Sequence, residues 1–201
     1  MEKKSYILGS HNSWSFLKPT KWWMKLIAFT AKCQKHSIAE QYWLDGVTCF
    51  DLHIRFDELG NVKVVHGPVE YDLEDIHIEE YFKWANDQKD SQIYIRIILD
   101  VRSRKAMYQY GHQREYFQKY CEKIEKIYPN VIFWCGRMVT GWAQDYKFKN
   151  EPTCQESYAS VCSPKFIDDL WPWIFAKKHN RIIKNNGTNA DILLIDFVDI
   201  K

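Results

Sequence analysis

The chain has 201 residues, of which 46% are hydrophobic and 27% are charged. This length and composition predict a single globular domain over residues 1–201 and exclude an intrinsically disordered chain. The formal net charge of +2 does not indicate nucleic-acid binding, which usually shows as a concentrated basic patch.

Runs of β-forming residues predict six strands, with a weaker seventh at residues 158–161. Several are nearly continuous apolar runs, which are typical of strands buried on both faces of a parallel sheet. The six predicted strands span residues 5–8, 47–56, 62–66, 93–101, 131–135 and 192–198.

Helical patterns fall between these strands, at residues 73–86, 114–128 and 166–179, and we expect Pro172 to kink or split the last of them. Strands that alternate with helices predict an α/β fold, and a closed barrel is its natural form. Because about 200 residues is the lower limit for such a barrel, we expect a small, distorted or incomplete TIM-type (β/α) barrel.

The cysteines indicate whether the protein has a zinc site or disulfides, and the first residues indicate its cellular location. Six cysteines show no CxxC pair and no regular spacing, so neither a zinc site nor a disulfide framework is indicated. Residues 1–9 lack the apolar stretch of a signal peptide, and no run approaches the roughly 18 apolar residues of a membrane span. We therefore expect a cytoplasmic protein or one peripheral to a membrane, with a secreted mature form as the alternative.

Two histidines follow or end predicted strands beside small residues. His11 lies in Gly-Ser-His-Asn-Ser after the first strand, and His66 lies in Val-Val-His-Gly-Pro at the end of the third. Imidazoles change protonation near neutral pH, so two of them at strand ends suit a phosphoryl transfer that needs a base and then an acid. Late in the last strand, Asp196 is an acid that could hold an imidazole by a hydrogen bond.

Charged side chains also share faces of two predicted strands. Since alternate residues of a strand point the same way, Asp51, His53 and Arg55 share one face, and Arg96 and Asp100 share another. A buried parallel strand carries such charges only where they meet partners or line a cavity. The alternative is that these faces look onto solvent.

Taken in order, four short motifs resemble the catalytic X domain of phosphatidylinositol-specific phospholipase C, with the layout of the single-domain bacterial enzymes. They are Gly-Ser-His-Asn-Ser at 9–13, Phe-Asp-Leu-His at 50–53, Val-Val-His-Gly-Pro at 64–68 and Ile-Asp-Phe-Val at 195–198. The resemblance covers most of the chain and is weak over residues 102–152. It implies a barrel of the phospholipase C-like phosphodiesterase type.

The resemblance also implies a role for each matching residue. His11 would be the general base that takes a proton from the inositol 2-hydroxyl, and His66 the acid that protonates the departing diacylglycerol oxygen. Asp196 would orient His11, while Asn12 and Asp51 would lie beside the phosphate. The products would be diacylglycerol and a cyclic inositol phosphate.

His53 decides whether a metal ion or a cationic side chain neutralises the phosphate. Metal-independent bacterial members have an arginine at this position and calcium-dependent members have a carboxylate. Three oxygen donors resemble the calcium type and predict a calcium site, namely Asn12, Asp51 and Asp100. Calcium needs six to eight oxygen ligands, however, and histidine is a poor one. Alternatively, a protonated His53, Arg55 or Arg96 could neutralise the phosphate without a metal.

Residues 19–29 combine lysine with tryptophan and leucine, the composition of an interfacial helix. We expect Trp22 and Trp23 to contact a membrane surface. The alternative is a buried helix that covers the barrel, but neighbouring helical positions diverge by about 100°, so both indoles cannot comfortably face inward.

Two other functions compete with cleavage of phosphatidylinositol or a related phospholipid. One is a phosphodiesterase of the glycerophosphodiester type, although the His-Arg pair and the Glu-x-Asp motif of those relatives do not appear. The other is a degenerate barrel that only binds lipid or a partner. The presence of both His11 and His66 counts against degeneracy, and His53 counts for it.

Overall fold

A computed structural model describes residues 6–74, 77–101, 106–135, 146–152, 156–159, 171–186 and 191–200. Within these ranges, eight strands form one mixed sheet. They are β1 (Ile7–Ser10), β2 (Cys49–Phe56), β3 (Val62–His66), β4 (Val69–Tyr71), β5 (Tyr94–Leu99), β6 (Ile132–Trp134), β7 (Glu156–Ala159) and β8 (Ile192–Ile195).

Strand β2 is the centre of this sheet. Its first residues pair with β1, its length pairs with β5, and its last residues pair antiparallel with β3. Six strands run parallel in the order β6-β5-β2-β1-β8-β7, and β3 and β4 form an antiparallel extension. Among the described residues the sheet is a curled half-barrel, with β6 and β7 at its two ends, and a closed barrel is not shown.

The helices lie between the strands in sequence. They are a 3₁₀ helix (Trp22–Leu26), α1 (Ala28–Ala31), α2 (Ile38–Trp43), α3 (Ile78–Asp87), α4 (Ala106–Ile127) and α5 (Pro172–Asn186). A capping box between Ser37 and Glu40 begins α2. Within the described ranges, none of these helices combines the length and the apolar character that a bilayer span requires.

The two faces of β2 separate the core from the site. Phe50, Leu52 and Ile54 belong to the main apolar core, together with Phe82 of α3 and Phe117 of α4. The alternate residues of β2, beginning with Asp51, are therefore on the opposite face. This alternation brings charged side chains into the curl of the sheet while the apolar side chains pack against the helices.

The strand and helix predictions correspond to elements of the structure with shifted ends. The third predicted helix was expected to be kinked or split at Pro172, and Pro172 is the first residue of α5. Its fixed φ suits the first helical turn, where its missing N–H has no partner to lose. Residues 166–170 of that prediction lie outside the described part. Strand β4 was not predicted, and the single-domain assignment stays a prediction.

Candidate active site

His11 and Asp196 are neighbours because they follow paired parallel strands. Ser10 of β1 is opposite Ile195 of β8, so the next residue of each strand lies at the same edge. His11 Nδ1 is 2.7 Å from Asp196 Oδ1, and both side chains are buried. A Cβ at Gly9 would be 2.5 Å from Leu194 Cδ2, so a larger residue there would have to displace the Leu194 side chain.

The turn after His11 is tied to β2. Asn12 has a φ of 44°, and its backbone N–H donates to Asp51 Oδ2 at 3.0 Å. The Ser13 hydroxyl accepts from the Asp51 N–H at 2.8 Å, and the Ser13 N–H donates to the Asp51 carbonyl at 2.9 Å. These bonds hold the His11 turn against the polar face of β2.

The polar face of β2 carries a buried charge network that includes two side chains of the β5 segment. Arg96 Nη1 donates to Asp51 Oδ1 at 2.8 Å. His53 Nε2 is 3.3 Å from Asp51 Oδ2, and His53 Nδ1 is 3.1 Å from Asp100 Oδ2. Arg55 donates to the Asp100 carbonyl and lies 3.5 Å from Asp100 Oδ1. The faces predicted from alternation therefore meet each other, not solvent.

His66 completes a group of three imidazoles. Its ring centroid is 5.4 Å from that of His11 and 5.2 Å from that of His53, and the His11 and His53 centroids are 6.1 Å apart. Its Nδ1 is 3.0 Å from the Ala31 carbonyl oxygen. Because a carbonyl only accepts, Nδ1 carries the proton of neutral His66, and Nε2 carries the lone pair.

His53 is the imidazole that holds a positive charge. Burial opposes its protonation, but the Asp51 charge and the hydrogen bonds with Asp100 and Asp51 outweigh burial and raise the pKa of His53 to about 9. Burial likewise opposes ionisation of Asp51, yet Arg96 and His53 hold the pKa of this carboxyl well below its usual range. Near neutral pH the centre contains a guanidinium and an imidazolium between ionised carboxylates.

His66 is in the opposite state. Burial, followed by the charges of His53 and His11, lowers the pKa of His66 to about 3. At neutral pH it is therefore an uncharged imidazole directly beside a charged one.

Two buried oxygens at this centre have no hydrogen-bond partner among the described residues. They are Oδ1 of Asn12 and Oδ2 of Asp196. A buried polar atom without a partner is costly in a protein interior, so such atoms mark places where a ligand can bind.

The predicted calcium donors do not fit a calcium ion. Asp51 Oδ1 is bonded to Arg96, and Asp51 Oδ2 accepts from the Asn12 N–H. The His53 ring lies between Asp51 and Asp100, where its charge and that of Arg96 would repel a cation. Calcium prefers six to eight oxygen ligands, and the oxygens of Asp51 are already engaged by other donors. The calcium site stays a sequence prediction.

The structure brings together every residue predicted for the catalytic, phosphate-binding and calcium sites. They are His11, Asn12, Asp51, His53, Arg55, His66, Arg96, Asp100 and Asp196. Their roles remain predictions. Trp22 and Trp23 lie elsewhere, in the 3₁₀ helix, where they are 76% and 43% exposed.

Four further groups at this centre were missed by sequence reasoning. The Ala31 carbonyl accepts from His66 and from the Tyr71 hydroxyl, each at 3.0 Å. The Gly67 N–H donates to Asp100 Oδ2 at 2.9 Å. Cys33 Sγ lies 3.9 Å from His66 Nδ1. Of these, Gly67 alone had a sequence signal, since it follows His66 directly, whereas residues 31–33 belong to no motif.

Comparison with known proteins finds the same fold in an enzyme class. Two structures of phosphatidylinositol-specific phospholipase C from Staphylococcus aureus are similar to this chain. One, a mutant, has a TM-score of 0.54 at 13% identity over 98% of this chain and 89% of that one. The other, which incorporates pentafluoro-Phe, has a TM-score of 0.53 at 15% identity over 95% and 85%.

This likeness shows a phospholipase C-like α/β fold for the chain. No family model matches the sequence, and no curated protein matches it either. At 13% and 15% identity, the likeness concerns the fold and not the substrate or the catalysis. The resemblance inferred from the motifs is confirmed at that level.

Proposed function

We propose that the chain is a phosphodiesterase that cleaves phosphatidylinositol or a related phospholipid to diacylglycerol and a cyclic inositol phosphate. One observation carries the proposal. A His11–Asp196 pair, bonded at 2.7 Å, lies 5.4 Å from a second imidazole, His66, beside buried cationic groups. This is the arrangement that a base, an acid and a phosphate-binding group require.

In the first half of the proposed reaction, His11 acts as the base. Its Nδ1–H donates to Asp196, so Nε2 carries the lone pair that takes the proton of the inositol 2-hydroxyl. The hydroxyl oxygen then forms a bond to phosphorus. The negative charge of Asp196 stabilises the imidazolium that results.

In the second half, His66 acts as the acid. The bond from phosphorus to the diacylglycerol oxygen breaks, and that oxygen takes a proton from Nε2 of doubly protonated His66. The free protein holds His66 neutral because burial and then the charge of His53 oppose its protonation and lower its pKa. A phosphodiester anion that binds between these rings offsets the repulsion and lets His66 take up the proton it later donates.

Cationic side chains neutralise the negative charge on the phosphate oxygens. His53 and Arg96 are both buried and are held by Asp51, so they are oriented before the substrate arrives. Fixed positive charges in a water-poor site stabilise the charge that develops in the transition state more than mobile ones do. Arg55, which is bonded to Asp100 and to the Gly67 carbonyl, supports the same network from the rim.

A lipid surface suits the exposed segment that precedes α1. Trp22 is 76% exposed and Trp23 is 43% exposed, while Met24 between them and Lys25 is buried and anchors the segment. Indoles at headgroup depth with nearby lysines are typical of peripheral membrane attachment. We propose that this segment brings the site to its phospholipid.

Release of diacylglycerol from phosphatidylinositol vesicles tests the proposal. Wild-type protein should release it, whereas His11→Ala and His66→Ala should not, and His36→Ala should behave as wild type. His36 is the matched control, because it also pairs with a carboxylate, Asp45, at 2.8 Å outside the centre. Turnover of a soluble glycerophosphodiester in preference to the vesicles would favour the glycerophosphodiester class. If the wild-type protein cleaved neither substrate, the remaining function would be a degenerate barrel that only binds lipid or a partner.

A further inference from the structure

We propose that His11, Cys33 and Asp196 form a binding site for a thiophilic divalent cation, and that zinc is the ion whose ligand preferences match it. The three side chains come from three separate parts of the chain. Cys33 follows α1, whereas His11 and Asp196 follow β1 and β8. No spacing motif in the sequence connects them, so the fold alone creates the site.

The geometry of the donors supports the site. One nitrogen of His11, the sulfur of Cys33 and a carboxylate oxygen of Asp196 all lie within 4.8 Å of one another. Tetrahedral zinc with bonds of about 2.0–2.3 Å separates its ligand atoms by roughly 3.3–3.8 Å. The donors therefore need to approach one another by about an ångström or less, which small side-chain rotations supply.

The burial of Asp196 points to a ligand at the same place. Asp196 is 1% exposed, and its Oδ1 holds His11. Its Oδ2 meets no N–H or O–H donor in the described part of the chain, and the neighbouring Cys33 thiol is a weak donor whose pKa is raised by burial and then by Asp196. A cation in place of the thiol proton satisfies both the buried carboxylate and the sulfur.

The donor set discriminates between metals. Imidazole, thiolate and carboxylate are the ligands that zinc uses, whereas calcium requires oxygen ligands alone. Cys33 binds as a thiolate, so its proton leaves to solvent when the ion arrives. Three protein ligands leave the fourth tetrahedral position for a water molecule.

A neighbouring group of donors is less suited to a cation. His11, Asp51 and His53 also lie within 4.8 Å of one another. Asp51, however, is bonded to the Arg96 guanidinium at 2.8 Å, and this fixed positive charge would repel a metal ion. The Cys33 group contains no arginine or lysine, which is why we assign the ion to it.

The proposed site overlaps the catalytic centre, so an ion there should inhibit the enzyme. This consequence rests on the proposed function, because it assumes that His11 is the base. A bound ion engages His11 and competes with the His11–Asp196 bond that orients it. Binding itself does not depend on that assumption, and we test it first without any activity assay.

Titration of the wild-type protein with cobalt(II), a spectroscopic substitute for zinc, tests the site directly. We expect one cobalt ion per chain, a thiolate-to-cobalt charge-transfer band in the near ultraviolet, and loss of the band when zinc is added. Cys33→Ala should lack the band. Cys121→Ala is the matched control, because Cys121 is also a buried free cysteine and belongs to α4. It should keep the band.

Absence of the band in the wild type, or its survival in Cys33→Ala, would overturn the proposal. Zinc X-ray absorption on the wild-type protein gives a second measurement that needs no variant. We expect a shell with one sulfur at about 2.3 Å and lighter donors at about 2.0 Å. A shell without sulfur contradicts the site even if Cys33→Ala fails to fold. Zinc binding without inhibition would contradict the role of His11 and leave the site intact.

Discussion

The imidazole of His53 bridges two buried carboxylates, with Nδ1 3.1 Å from Asp100 Oδ2 and Nε2 3.3 Å from Asp51 Oδ2. Because both ring nitrogens face negative oxygens, the ring is protonated on both nitrogens at neutral pH. The motif resemblance implies an arginine or a calcium-binding carboxylate at this position, and we propose that the buried imidazolium supplies the positive charge beside the phosphate instead.

Replacement of His53 by glutamine should lower kcat/KM by about 100-fold, the effect expected when one preorganised positive charge beside a phosphate transition state is lost. Glutamine keeps hydrogen-bonding atoms near both carboxylates but has no charge. Phosphatidylinositol cleavage by His53→Gln and by the control His36→Gln checks this expectation. Equal rates for the two variants would remove His53 from the proposed mechanism.

The stability of the protein should be greatest near pH 6.5, because two histidines have pKa values displaced in opposite directions. His53 has a folded-state pKa of about 9, above its unfolded value, so its contribution is present below about pH 6.5 and is lost as the pH rises toward 9. His66 has a folded-state pKa of about 3, so stability falls as the pH drops below about 6.5, where the unfolded chain binds the proton.

Urea unfolding at a series of pH values measures this profile. We expect a slope of roughly 1 kcal/mol per pH unit on each side, between about pH 5 and 6.5 and between about pH 6.5 and 7.5, below the range where thiols of the unfolded chain ionise. His53→Gln should flatten the alkaline side and His66→Gln the acid side. A profile that is unchanged in both variants would mean that neither histidine has a displaced pKa.

Substitution of Asp196 by asparagine should reduce kcat by about 10²- to 10⁴-fold with little change in KM. The amide can donate to Nδ1 of His11, which moves the imidazole proton to Nε2 and leaves no base facing the substrate. The matched control is Asp45→Asn, which removes the carboxylate beside His36. If Asp196→Asn instead raised KM and left kcat unchanged, Asp196 would be a binding residue and not the one that orients His11.

The double replacement Trp22→Ala with Trp23→Ala should weaken binding to phosphatidylinositol vesicles while hydrolysis of a short-chain monomeric substrate continues. Two exposed indoles each contribute interfacial burial that the soluble reaction does not use. Vesicle sedimentation measures binding, and Trp43→Ala is the control, since Trp43 is 69% exposed on α2. An equal loss on both substrates would indicate a packing role.

Much of the site was predictable, because alternation along a strand is a local property. The spacing of Asp51 and His53 was enough to assign them to one face, and the strand that contains Arg96 and Asp100 supplies their partners. The positions of His11 and His66 at strand ends predicted that they meet. The structure brings their ring centroids to 5.4 Å, although β1 runs parallel to β2 and β3 runs antiparallel to it.

The rest depends on contacts that no local pattern contains. Cys33 and the Ala31 carbonyl reach the histidines through the path of the segment around α1, which the sequence shows only as an interfacial composition. The calcium prediction followed from donor types alone. The sequence does not show that other side chains already engage these oxygen donors. Asp51 is bonded to Arg96 because the register of β2 against β5 puts the two residues opposite each other. The end of α5 and the pairing of β4 likewise depend on tertiary packing.

Phosphorus NMR of phosphatidylinositol vesicles incubated with the protein and a calcium chelator tests whether the chain forms a cyclic phosphate by histidine catalysis without a metal. We expect a cyclic inositol phosphate signal that grows at the same rate with chelator as with added calcium. We expect no such signal with His11→Ala or His66→Ala. A wild-type protein that forms no cyclic phosphate under either condition, or a His11→Ala variant that forms it at the wild-type rate, would contradict the claim.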